Sequence, residues 1–187
     1  GYFNTVIDQN ISIDSQNRIG IELDIQKGSR AKIAKFTISG ADKVPKDTLL
    51  KLFKIGEADM ALINYFTNKD LFTDAEFSKG IDLMAKTYYD LGYLDFKILN
   101  VNTELNDTKE KISLNIDISE GIQYKLGKIT FSPDLEVFSE EDLAKIITMN
   151  EGDIFNRSSI ISDIQTLTDN FADMGYAFVD INPVTTD

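Results

Sequence analysis

Ser139, Glu140, Glu141 and Asp142 form the densest run of potentially reactive side chains in this sequence. Paired carboxylates can hold a hard cation or share acid–base work. The same four residues also spell the start of a helix: a serine N-cap followed by first-turn acids facing the positive end of the dipole. The helical reading is the economical one. Cysteine and histidine are both absent, which excludes Cys-His and Ser-His nucleophilic sites and weighs against ordinary zinc or redox centres. With 31 acidic against 19 basic residues the net charge is -12, so attraction to a phosphate backbone would run backwards. The chain is therefore read as no enzyme, with no catalytic residue, metal or cofactor assigned and no nucleic acid as partner.

Repetition is the stronger signal. Gly1-Tyr2-Phe3, Gly92-Tyr93-Leu94 and Gly175-Tyr176-Ala177 recur at intervals of 91 and 83 residues. Lys35-Phe36-Thr37-Ile38-Ser39 matches Lys128-Ile129-Thr130-Phe131-Ser132 at an offset of 93, and Gly28 matches Gly121 at the same offset. Ile55-Gly56-Glu57-Ala58-Asp59 matches Met149-Asn150-Glu151-Gly152-Asp153 at 94, so the drop to 83 implies about 11 extra residues in the first copy, near residues 61–71. One small unit is strung along the chain.

The unit can be read element by element. Residues 32–39 form a strand whose apolar face is expected to carry Ala34, Phe36 and Ile38, ended by Gly40. Pro45 heads a short helix over 46–53, with Leu49, Leu50 and Phe53 at helical spacing, and Gly56 breaks it. Residues 77–91 place Phe77, Ile81, Met84, Ala85, Tyr88 and Leu91 on one helix face, and Gly92 follows as a left-handed C-terminal cap. Ile160, Ile164, Leu167, Phe171 and Met174 repeat that stripe before Gly175. Phe77, Tyr88, Phe171 and Met174 are assigned to the core, and Tyr93 and Tyr176 are expected to pack against the sheet.

A hairpin completes the copy. Residues 93–105 alternate in part, Asn106-Asp107 supplies a turn, and residues 111–119 place Ile112, Leu114, Ile116 and Ile118 on one face. The fold class is α+β: strand, helix, helix, strand, strand, with the third strand parallel to the first in a mixed sheet ordered 1-3-2. Ser113, Asn115 and Asp117 face solvent, and the second strand is left as an unpaired edge.

This pattern, with the Leu-Gly-Tyr helix ending and the junction Ser119-Glu120-Gly121-Ile122-Gln123-Tyr124-Lys125-Leu126-Gly127, resembles the polypeptide-transport-associated (POTRA) domains of outer-membrane β-barrel assembly proteins. The resemblance covers essentially the whole chain. It implies three parts: residues 1–28 as the closing hairpin of a second POTRA domain, 30–121 as a complete third domain, and 122–187 as a fourth lacking its last strand. The insertion at 61–71, with Tyr65-Phe66, resembles the extra residues between the helices of the family's third domain.

What the resemblance implies about function centres on the hairpin. The backbone of Phe96, Ile98, Leu99, Asn100, Val101, Thr103 and Leu105 would accept an extended segment by β-augmentation, and in the family this strand docks an accessory lipoprotein of the BamB kind. Unfolded outer-membrane proteins are the other implied partners. The location implied is the periplasmic portion of an outer-membrane protein, the fragment itself not spanning the membrane. Gly28, Ser29, Arg30, Gly121, Ile122 and Gln123 are expected to act as hinges between modules. The ragged ends suggest head-to-tail self-association, residues 1–28 of one molecule completing 122–187 of another. The alternative is a POTRA array of another transporter or of a division protein, binding one dedicated partner.

Overall fold

A computed structural model describes residues 2–3, 5–53, 73–131, 139–176 and 181–184. The insertion at 61–71, the Gly56 helix stop and residues 177–180 and 185–187 lie outside the described residues. Two compact units are formed, residues 1–84 with 98–119 and residues 85–97 with 120–187, so the boundary crosses the long helix.

In the first unit, β1 (Tyr2–Phe3) pairs antiparallel with β4 (Ser29–Arg30), and β2 (Val6–Ile13) pairs antiparallel with β3 (Ile19–Gln26). The β2–β3 register sets Ile7 opposite Ile25, Ile11 opposite Ile21 and Ile13 opposite Ile19, so one ribbon face is apolar. Asp8 and Asp24 are paired on the other. Asp14 makes the turn: its carboxylate accepts from the N–H groups of Gln16 (2.8 Å) and Arg18 (3.0 Å), and Asn17 takes positive φ. Asn106 repeats this device in the next hairpin, accepting from the N–H groups of Glu110 (3.0 Å) and Lys111 (2.8 Å) while Lys109 takes positive φ.

That hairpin belongs to the main sheet. β5 (Lys32–Ser39), β6 (Lys97–Leu105) and β7 (Lys111–Ser119) lie in the order β5-β7-β6, with β5 parallel to β7. This is the expected 1-3-2 arrangement of a mixed sheet. Ile112, Leu114, Ile116 and Ile118 are buried as the alternation required, and Asn115 organises the open face, accepting from Thr37 Oγ1 (2.8 Å) and Ser39 Oγ (3.2 Å).

The expected face of β5 needs a correction. Ile33 opposes Ile112 but Lys35 opposes Ser113, so a bulge at Ala34 shifts the alternation by one residue. Ile33 is buried with Phe36 and Ile38, and Ala34 is exposed.

Helix α1 (Lys46–Leu52) starts after Pro45, whose fixed φ suits that position, and α2 (Asp74–Asp90) is the long helix. Phe36, Phe53 and Phe77 form the aromatic centre of this unit, with Phe36 edge-on to Phe53 at 4.7 Å between ring centroids.

The second unit explains the Gly-Tyr phrase. Gly92 has φ +83°, and the N–H of Tyr93 reaches back to the carbonyl of Tyr88 at 2.9 Å while that of Gly92 reaches Tyr89 at 3.2 Å. Helix α4 (Arg157–Asp173) ends the same way: Gly175 has φ +93°, Tyr176 N–H reaches Phe171 O at 3.1 Å and Gly175 N–H reaches Ala172 O at 2.9 Å. These are Schellman closures, in which only glycine takes the left-handed turn without a Cβ penalty. In both, the tyrosine lies edge-on to the aromatic ring five residues before it, Tyr93 to Tyr88 and Tyr176 to Phe171. A short helix α3 (Glu140–Ala144) precedes α4, and Leu143, Leu167 and Phe171 form the small core of this unit.

Candidate docking edge

The acidic cluster is structural. Ser139 Oγ accepts from Asp142 N–H at 3.1 Å, capping α3, and Asp142 also bonds Lys145 at 3.0 Å. Hydrogen bonds from the Ser139 hydroxyl and from Lys145 hold the Asp142 carboxyl below its ordinary range.

Strand β6 is where the fold leaves backbone unspent. It ends the sheet, so along its outer side alternate N–H and C=O groups have no strand partner among the described residues. Its sequence, KILNVNTEL, contains neither proline nor glycine, and its two charges cancel. β5 ends the sheet on the other side, but there the Ala34 bulge interrupts regular pairing. Only one free border was expected from the sequence; the topology makes two, at β5 and at β6.

Side chains divide by the strand's period of two. Asn102 and Glu104 line a shallow polar depression on the open face with Lys35, Thr37, Ser113 and Asn115. Leu99, Val101, Thr103 and Leu105 therefore point to the opposite face, all exposed, with Leu99 at 65%. Asn100 is exposed and bonds Asn102, and Ile98 is half-buried. Phe96 differs from the others. It lies just before β6, is only 5% exposed, and stacks on Tyr88 at 4.3 Å, so it anchors the strand's start and presents no docking surface.

The expected hinge residues fall into structured positions. Ser29 and Arg30 form β4. Gly121 has φ +74° and packs so closely on Asp95 that an added Cβ would meet that residue's Cβ at 2.7 Å. Gln123 donates to the carbonyl of Leu91 at 2.9 Å, and Ile122 is exposed.

The described residues define the class of fold: a strand–helix–helix–hairpin unit whose mixed sheet ends at β6. The POTRA family, described as a surface antigen variable number repeat, matches residues 31–121 and again 124–187, and the chain belongs to that family. It is similar to the outer membrane protein assembly factor BamA of Neisseria meningitidis serogroup B, 24% identical over 97% of this chain and 23% of the relative. It is also similar to BamA of Nitratidesulfovibrio vulgaris, 28% identical over 87% of this chain and 20% of the relative. The chain thus spans less than a quarter of the length of these curated relatives. Among solved structures, POTRA domains 3–5 of Haemophilus influenzae BamA superpose with a TM-score of 0.56 at 13% identity, covering 91% of this chain and 63% of that one. At that identity the likeness speaks for the fold.

Proposed function

We propose that this chain is a periplasmic scaffold of an outer-membrane β-barrel assembly factor, docking other polypeptides along β6. The observation that carries the reading is the free border of β6 with Leu99, Val101 and Leu105 exposed beside it. β-Augmentation takes its affinity from main-chain hydrogen bonds, a mode that tolerates varied client sequences, and the exposed apolar side chains add preference without a deep pocket. The partners are an accessory lipoprotein of the BamB kind and unfolded outer-membrane proteins, in keeping with relatives named as assembly factors. In this reading residues 30–121 act as the third domain of the array, preceded by the hairpin of a second and followed by a fourth. No helix among the described residues is long and apolar enough to cross a membrane.

Photo-crosslinking in cells from Leu99 and Leu105 tests it. Adducts with a lipoprotein or a nascent barrel at both positions are expected. Absence of adducts at both, while a position in the polar face such as Asn115 reacts, would overturn it.

A further inference from the structure

Asp90 occupies an awkward place. A carboxylate in the last turn of α2 faces the negative end of that helix's dipole, where it is unfavourable by itself. It is compensated by a second helix. Its Oδ1 accepts from the N–H of Ser158 at 2.8 Å and its Oδ2 from the Ser158 hydroxyl at 2.8 Å, both in the first turn of α4. Lys86, one turn back on α2, donates to the same carboxylate at 2.6 Å and also to the Ser158 hydroxyl. Asn156, the N-cap of α4, donates to the backbone carbonyl of Asp90 at 3.0 Å.

A second set of contacts fastens the linker to the same helix end. Tyr124 N–H donates to Gly92 O at 2.8 Å, Phe155 N–H donates to Tyr124 O at 3.1 Å, and the Tyr124 hydroxyl donates to Asp95 at 2.8 Å. The linker is therefore sandwiched between the end of α2 and the entry to α4. Asp90 and Lys86 both bond Ser158 across the two helices through a charge, Asp90 by two bonds, and charge-assisted bonds are about twice as strong as neutral ones.

We propose that Asp90 is a latch: while it holds the first turn of α4, residues 121–126 stay fastened, and its release frees them. Of the residues expected to act as hinges, Gly121, Ile122 and Gln123 thus bend only after the latch opens. Asp90 acts through positioning alone.

Amide hydrogen exchange on the full chain, comparing Asp90→Asn with the parent, distinguishes a latch from a local helix cap. Exchange at Ser158 and at Tyr124 is expected to quicken together by about tenfold, although the Tyr124 amide never touches Asp90. Ser158→Ala, which keeps the N–H bond and removes the hydroxyl, should quicken both to a smaller extent. Quickening confined to Ser158, or shared equally by β7 amides such as Ile116, would overturn the proposal. The first outcome makes Asp90 a cap only, and the second makes it a contributor to global stability.

Discussion

The ring of Phe53 lies directly against the backbone of Gly80, where an added Cβ would meet Phe53 Cδ1 at 2.1 Å. Glycine in mid-helix costs about 1 kcal/mol relative to alanine, so Gly80→Ala would ordinarily stabilise α2. Here the sign reverses. The methyl group must displace a fully buried ring that also packs on Phe36 and Phe77, and overpacking of that kind costs about 1–3 kcal/mol. Urea unfolding of Gly80→Ala is expected to show no gain and a net loss of up to about 2 kcal/mol.

Two glycines with the same backbone conformation should respond differently to alanine. Gly175→Ala meets open space, so its cost is the left-handed turn alone, about 1 kcal/mol. Gly92→Ala also drives a Cβ to 2.7 Å from the carbonyl oxygen of Tyr124, which is itself engaged by Phe155. Its loss is expected to reach about 3 kcal/mol. Equal losses in chemical denaturation would mean that the linker yields freely at Tyr124.

Acid should loosen the second unit through Asp90. Burial raises its pKa, but the hydrogen bonds from Lys86 and Ser158 and the Lys86 charge together outweigh that and leave it below the ordinary 3.8. The nearby cations are Lys86, bonded to it, and Arg157, which lies over the Tyr89 ring. A carboxyl depressed on folding contributes stability that is complete above its unfolded value and lost as pH falls through the folded one. The parent's stability should therefore fall below about pH 4 more steeply than that of Asp90→Asn, measured by urea titration at successive pH values.

Much of the module was legible because its signals are local. The isoleucine alternation of β7, the Asn106 turn, the Ser139 cap and the glycines after each long helix all act within a few residues. Strand order followed from connection lengths. The Ala34 bulge was hidden, because in a strand reading KIAKFTIS the phase shift is fixed by pairing with β7. The burial of Phe96 was hidden for a similar reason: it depends on Tyr88, eight residues earlier in a helix. The partners of Asp90 lie 66 and 68 residues away, yet a trace existed. Both copies carry an aspartate two residues before the glycine, Asp90 and Asp173.

The border of β6 can be spoiled without harming the fold. Leu99→Asp with Val101→Asp places charge on exposed positions, and such surface changes are usually within about 0.5 kcal/mol in stability. Partner adducts from Leu105 are expected to disappear while the unfolding midpoint stays in place. Retained adducts would mean that the backbone alone suffices; a collapsed midpoint would mean that these residues serve the core.

The Schellman closure shared by α2 and α4 has an evolutionary consequence. The two closing bonds of each helix end come from its own backbone, so the turn itself forms without help from the segment that follows, even where, as after Gly92, that segment then fastens onto it. Duplicating a whole copy would therefore carry its helix end along complete, and what each new boundary would have to acquire is the set of contacts that here comes from Gln123, Tyr124, Asn156 and Ser158.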